Sequence, residues 1–310
     1  MSEAVIREPA ARRAHREGWL SERVARARAL LAPCAVCPRG CADVDRLAGD
    51  VGVCRVGRWA RVAGAGPHHG EEDALRGWRG SGTIFLAGCS LRCAFCQNAD
   101  ISRARVGEEV GPEELAGLML ALQRRGCHNI NLVTPDHVAP QLLEALPLAL
   151  DRGLALPLVW NSSAYARVET LALLEGIVDV YLPDVKTLDP DRARRHLGAP
   201  DYPAVARAAL AEMHRQVGDL AVDADGVARR GLLVRHLVLP GGEDDARAVA
   251  ALLASLSTDT AVNVMGQYQP AHRVPGSRRH ADLDRRLRPG ERGAAVTAFH
   301  EAGLWRVQGP

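Results

Sequence analysis

Residues 83–98 read TIFLAGCSLRCAFCQN. The first five, Thr83 to Ala87, are β-branched, aromatic or aliphatic, and they form a short apolar run of the strand type. Gly88 ends the run. Three cysteines follow, spaced C-x3-C-x2-C: Cys89, Cys93 and Cys96. A strand that runs straight into such a loop places the thiols at its C-terminal end. That is where α/β folds gather their functional residues.

The same rhythm repeats downstream. Apolar runs recur at Ile130–Thr134, Leu156–Trp160, Val178–Leu182, Leu232–Leu239 and Ala261–Gly266. Helical periodicity lies between them, at Pro112–Arg125, Val138–Arg152, Arg167–Glu175, Tyr202–Val217 and Asp244–Leu256. Near-continuous apolar strands separated by helices predict a parallel sheet covered on both faces. Six such units predict an α/β fold built as a partial (β/α)6 barrel, with a doubly wound sheet as the alternative. The crossovers are expected to be right-handed.

Upstream, residues 3–32 read as one Arg-rich amphipathic helix, with Leu20, Val24, Ala27, Leu30 and Leu31 at helical spacing and Pro33 as its stop. Residues 33–66 read as a Cys-rich loop module, and residues 64–82 as a linker. His68 and His69 of that linker read as surface residues. Residues 270–290 read as an Arg-rich loop before a last helix at Glu291–Ala302. The expected organisation is therefore an N-terminal helical segment (1–32), a four-cysteine module (33–66), a barrel core (80–270) and a C-terminal loop and helix (271–310).

Composition narrows the class. The 310 residues carry 39 basic and 37 acidic side chains, a net charge of +2, so there is no bulk attraction to nucleic acid or to an acidic membrane. No apolar run reaches the roughly 18–20 residues of a membrane span, and no apolar signal segment opens the chain. A cytoplasmic location is the expectation. Seven of the eight cysteines fall between residues 34 and 96; in a reducing compartment such clusters read as metal ligands rather than disulfides. Cys127 stands apart and reads as a small buried hydrophobe.

The two cysteine groups differ in kind. Cys89, Cys93 and Cys96 offer three thiolates, one short of the four that fully ligate a 4Fe–4S cluster. Three ligands leave one iron open for a small molecule. A structural zinc knot is the competing reading, although zinc usually takes four ligands in paired C-x2-4-C elements. Cys34, Cys37, Cys41 and Cys54 supply a full set of four, suited either to zinc or to a second 4Fe–4S cluster.

With Phe95 as the aromatic residue, the loop reads C-x3-C-x-aromatic-C after the first barrel strand. In this the chain resembles the radical S-adenosylmethionine (radical SAM) superfamily. From Cys34 to Gln269 it further resembles the branch named pyruvate formate-lyase activating enzyme-like. The segments that carry the resemblance are CAVCPRGC, GCSLRCAFCQN, HNINLVTPDH, LVWNSSAY, VDVYLPDVK, EMHRQVGD, LLVRHLVLPG and NVMGQYQP.

The resemblance implies an oxidoreductase-type enzyme with a 4Fe–4S cluster on Cys89, Cys93 and Cys96. Its open iron binds S-adenosyl-L-methionine, whose reductive cleavage gives a 5′-deoxyadenosyl radical that takes hydrogen from a substrate. It also implies a flavodoxin- or ferredoxin-type electron donor. The substrate is either a small molecule or a protein, the latter if the chain is a glycyl-radical activating enzyme. Cofactor contacts are expected from Phe95 and Asn98, from Thr134 and Asp136 after the second strand, and from Asn161 and Ser162 after the third. At the fourth, Asp184 is expected to meet the ribose and Lys186 the methionine carboxylate; at the fifth, His236 is a further candidate.

Several of these positions have plainer readings. The TPDH turn departs from the superfamily's Gly-Gly-Glu segment, and Asp136 also reads as a helix N-cap. Asp184 and Lys186 also read as a strand-end ion pair, and His236 as a satisfied core histidine. The alternative for the whole chain is a non-catalytic iron–sulfur or zinc protein, acting as an electron carrier or interaction module.

Overall fold

The computed structural model describes residues 8–103 and 106–308. Among the described residues ten strands form one sheet: β1 (Ala60–His68), β2 (Ser81–Leu86), β3 (Glu108–Val110), β4 (Ile130–Val133), β5 (Leu158–Asn161), β6 (Val180–Tyr181), β7 (Ala221–Val222), β8 (Ala228–Leu237), β9 (Ala261–Met265) and β10 (Val307–Gln308). The path runs β10-β9-β8-β6-β5-β4-β2-β1-β3, with β7 paired to β8. The six neighbours from β2 to β9 are all parallel. Their spatial order is their chain order, with no reversal point. A doubly wound sheet requires such a reversal, so the singly wound, barrel-type alternative is the one realised.

The helices between these strands fall where the periodicity predicts, to within a few residues. Pro112–Arg124 buries Leu115, Ala116, Met119, Leu120 and Leu122 on one stripe. The Glu114 carboxylate accepts from the Gly111 N–H at 2.6 Å and ties down its first turn. Tyr202–Val217 likewise faces the sheet with Ala206, Ala209, Leu210 and Met213.

Three expectations need correction. The N-terminal segment is two helices, Ala10–Arg16 and Leu20–Ala29, rather than one; Gly18, at φ +82°, turns the chain between them. Residues 3–7 of the expected helix lie outside the described residues. The expected linker at 64–82 carries most of β1, which pairs antiparallel with β2, followed by the short helix Asp73–Arg76. Its Gly and His content masked the strand. The C-terminal segment adds β10, parallel to β9, and residues Arg278–Leu283 form a 3-10 turn within the expected loop.

The barrel interior is layered. Near the N-terminal ends of the strands, Val159, Val180, Leu182, Leu233 and Ala261 pack with Ala74 and Leu75 of the short helix into an apolar plug. Higher up, at the C-terminal strand ends, the interior opens and becomes polar.

Candidate active site

The opening is a cavity of about 290 Å³. That is near the lower end of the range for small-molecule sites. Cys89, Cys93, Phe95, Cys96 and Asn98 line it from the loop after β2. Thr134 enters after β4, Asn161, Ser162 and Ser163 from β5 and its loop, and Asp184 and Lys186 after β6. Arg235 of β8 and Met265 and Gln267 at the end of β9 complete the wall.

The cysteine loop is clamped from outside. The Arg92 and Ala94 N–H groups donate to the carbonyls of Leu197 and His196, at 3.0 and 2.7 Å, and the Arg273 N–H donates to the Ala94 carbonyl at 2.9 Å. Phe95 is buried edge-on against Tyr268, with ring centroids 6.2 Å apart. Tyr268 in turn donates to the Leu283 carbonyl at 2.8 Å. The aromatic position of the motif thus serves as packing that fixes the loop, in addition to lining the cavity.

Burial raises the Cys89 and Cys93 thiols to about 11 and 12, even though Leu91 and Arg103 oppose the shift at Cys89 and Lys186 opposes it at Cys93. Buried thiols of this kind stay protonated until a metal centre displaces the proton. Among the described residues, no three Cys, His, Asp or Glu side chains close on a single ion-binding point.

Across the cavity stands a charge ladder. Lys186 Nζ donates to Asp184 Oδ2 at 3.0 Å. Arg235 grips the same carboxylate with two bonds, Nε to Oδ1 at 2.8 Å and Nη2 to Oδ2 at 3.1 Å, and also donates to Asn161 Oδ1 at 2.6 Å. Its Nη1 reaches Glu71 Oε2 at 3.4 Å. Burial pushes Asp184 up, but Arg235 and Lys186 overcome it and hold the carboxyl below its usual range. Burial pulls Lys186 down, and Asp184 and Cys93 more than offset that. Glu71 is raised to about 7, by burial first, against the pull of Arg235. Lys186, the cation of this ladder that lines the cavity with donors to spare beyond its bond to Asp184, is the group suited to a carboxylate.

Thr134 on the cavity wall and Ala164, buried just beyond Ser163, carry backbone strain. Thr134 and Ala164 both sit at φ +59°, which is rare for non-glycine residues and especially so for a β-branched one. Each costs of order 1–3 kcal/mol, and such strain clusters at functional sites.

Most of the expected cofactor residues therefore meet in one cavity: Phe95, Asn98, Thr134, Asn161, Ser162, Asp184 and Lys186, together with the three cysteines. Asp136 and His236 do not line it. Asp136 is buried behind the wall, where it accepts from Trp160 Nε1 at 3.0 Å, Ser162 Oγ at 2.9 Å and Ser163 N at 3.2 Å. It fixes the end of β5 and takes the hydrogen of the Ser162 hydroxyl. Val138, not Asp136, stands at the N-cap of the following helix, and the Asp136 oxygens are occupied by the β5 end. His236 faces the opposite side of β8, with Nδ1 3.0 Å from the Val185 carbonyl and its ring against Phe299. Alternation along the strand gives the cavity to Arg235 and the helix layer to His236. Arg235, absent from the expected set, shares its strand face with Leu237, which also lines the cavity; that alternation is the sequence signal for it.

A sequence profile of the Radical SAM superfamily matches residues 83–252, more than half of the chain. The chain belongs to the radical SAM superfamily. The superfamily implies an enzyme with a 4Fe–4S cluster that cleaves S-adenosylmethionine. The chain is also similar to the uncharacterized protein MJ0674 of Methanocaldococcus jannaschii, at 32% identity over 228 residues, spanning 71% of this chain and 61% of that relative. Among the described residues, no helix is long and apolar enough to cross a membrane.

The donor set fits a radical SAM cluster. Three thiols share one cavity with the charged ladder, and Arg103 lies close enough to feel all three, its own pKa lowered chiefly by burial. Arg103 Nε is buried with no hydrogen-bond partner among the described residues. A half-buried cation with one unpaired donor beside three thiols is an environment that an anionic, thiolate-ligated cluster would satisfy.

Proposed function

We propose that S-adenosylmethionine occupies the cavity between the cysteine loop and the charge ladder. Cys89, Cys93 and Cys96 hold the cluster. When bound and reduced, that cluster supplies the electron that cleaves the sulfonium. Lys186 takes the methionine carboxylate, using donors left over from its single bond to Asp184. Asp184 accepts from the ribose hydroxyls while Arg235 fixes its orientation. Asn161 completes the polar rim, and Phe95, Leu91 and Met265 keep the reacting end apolar. The observation that carries the reading is the placement of three thiols and the Asp184–Lys186 pair on one cavity.

Two finer readings rest on the shared sequence segments. One is hydrogen abstraction from a partner protein's glycine, as in activating enzymes, with a flavodoxin- or ferredoxin-type donor. The other treats Cys34, Cys37, Cys41 and Cys54 as a second metal centre, either an iron–sulfur cluster or zinc. The first test is electron paramagnetic resonance of the anaerobically reconstituted, reduced protein. Added S-adenosylmethionine should change the signal of one cluster. An unchanged spectrum at saturating cofactor would overturn the assignment.

A further inference from the structure

Arg46 is fully buried. Its Nε donates to the Gly57 carbonyl at 2.9 Å, and its Nη1 donates to the His137 carbonyl at 2.8 Å and stands 4.0 Å from Cys34 Sγ. No carboxylate meets it among the described residues, and its Nη2 has no partner there at all. A guanidinium does not lose its charge in a protein. Nature seldom buries a cation without an anion to answer it, because the desolvation is uncompensated.

Two thiols feel it directly, Cys34 at 4.0 Å and Cys54, which Arg46 pulls toward the thiolate, and the other two lie in the same cluster. Cys34, Cys37 and Cys54 are buried and Cys41 is half-buried. Cys34 and Cys41 face each other across an isolated antiparallel bridge. A β-carbon placed on Gly52 would lie 3.6 Å from Cys41 Sγ and 3.7 Å from Cys54 Sγ, so two of the sulfurs flank one point. As neutral thiols the four leave Arg46 unanswered. As thiolates around zinc, or around an oxidised 4Fe–4S core, they carry a net charge of −2.

We propose that Cys34, Cys37, Cys41 and Cys54 hold a dianionic metal tetrathiolate and that Arg46 is its built-in counter-ion. This rests on reading the four cysteines as a second metal centre, and it adds the residue that makes the centre tolerable inside the fold. The sulfurs are gathered rather than closed, and metal binding supplies the final approach. Arg46 also ties the centre to the first one. The His137 carbonyl that it binds belongs to the residue whose Nε2 meets the Ala87 carbonyl at 3.0 Å, two residues before Cys89.

The test uses the full chain with Cys89, Cys93 and Cys96 replaced by Ala, so that only the second centre is counted. Iron, sulfide and zinc are measured after anaerobic loading with iron and sulfide, and separately after loading with zinc. The parent should hold the iron and sulfide of one cluster, or one zinc, and the content tells which. Cys34→Ser and Cys54→Ser should each abolish it. Transfer of the metal to a chelator should then be about ten-fold faster or more in Arg46→Gln, and close to the parent rate in Arg46→Lys, which keeps the charge. Parent-like retention in Arg46→Gln would overturn the counter-ion role while leaving the metal site standing. No metal in the parent, or unchanged content in both serine variants, would overturn the site itself. Should Arg46→Gln not fold, as judged by circular dichroism, Arg46→Lys decides alone: retention near the parent supports the role of charge, and a ten-fold loss contradicts it.

Discussion

Arg235 holds Asp184 by both carboxylate oxygens, at 2.8 and 3.1 Å, from a neighbouring strand of the barrel. The fork fixes the carboxylate plane and shares its charge, so Lys186 is not fully spent on Asp184. Without the guanidinium, Lys186 becomes the main cation on Asp184 and is less free to meet a ligand's carboxylate. Arg235→Gln should therefore weaken S-adenosylmethionine binding by roughly ten-fold, about 1.4 kcal/mol, while leaving the cluster content unchanged. Cofactor titration against the cluster spectrum measures this. Equal affinities would show that the fork is only structural.

Lys186 is the single lysine in a chain whose other 38 basic side chains are arginine. Its compact ammonium fits between Asp184 and the cavity, where a longer planar fork would not superimpose. Lys186→Arg should keep the fold but lose one charge-assisted hydrogen bond, roughly 1.5–3 kcal/mol, or about ten- to a hundred-fold in cofactor affinity. Isothermal titration of the reconstituted variant gives the number; wild-type affinity would remove Lys186 from the site.

Gly88 precedes the first cluster cysteine at φ +84°. A β-carbon there would stand 2.5 Å from the Cys54 carbonyl oxygen and 2.8 Å from Val56 Cγ2. Backbone oxygen cannot move aside cheaply, so the strand end and the four-cysteine module are packed through this point. Gly88→Ala should cost about 2 kcal/mol or more, from strained φ and overlap together. Urea unfolding of the metal-free chain tests it, and a cost under about 0.5 kcal/mol, the range of ordinary surface substitutions, would show the contact to be slack.

His137 is buried, and burial lowers its pKa from 6.5 to about 4, with Arg46 pushing the same way and the Ala87 carbonyl opposing. In the unfolded chain it titrates near 6.5. The unfolded state thus binds more protons between pH 6.5 and 4. The stability from the neutral imidazole is complete above 6.5 and is lost as pH falls through that window. The full swing is at most about 3 kcal/mol. Denaturant melts at pH 7 and pH 5 should show the drop, and His137→Gln should flatten the His-dependent part of it. An identical slope in the variant would assign the pH dependence elsewhere.

The barrel was legible because buried parallel strands announce themselves as apolar runs, and the cysteine spacing named the loop that crowns the first of them. What escaped was set by contacts between distant segments. β1 hides in a stretch of Gly, Pro and His, and becomes a strand because β2 and β3 pair with it on either side. Asp136 has the right chemistry for a ligand contact, but Trp160, Ser162 and Ser163 consume its oxygens from another strand. His236 drew attention by residue type, when the alternation of β8 pointed to Arg235. Arg46, one arginine among many in the sequence, stands out only once its burial without a carboxylate partner among the described residues is known.

The central claim is that Cys89, Cys93 and Cys96 build the cluster that cleaves S-adenosylmethionine. Its most direct test compares the reconstituted protein with the Cys89→Ala, Cys93→Ala, Cys96→Ala variant under a low-potential reductant and anaerobic conditions, with 5′-deoxyadenosine measured by chromatography. The intact protein should form 5′-deoxyadenosine and methionine, and the triple variant should form neither while keeping any metal bound at the four N-terminal cysteines. Product formation by the triple variant, or none from an intact protein carrying its full iron and sulfide, would contradict the account.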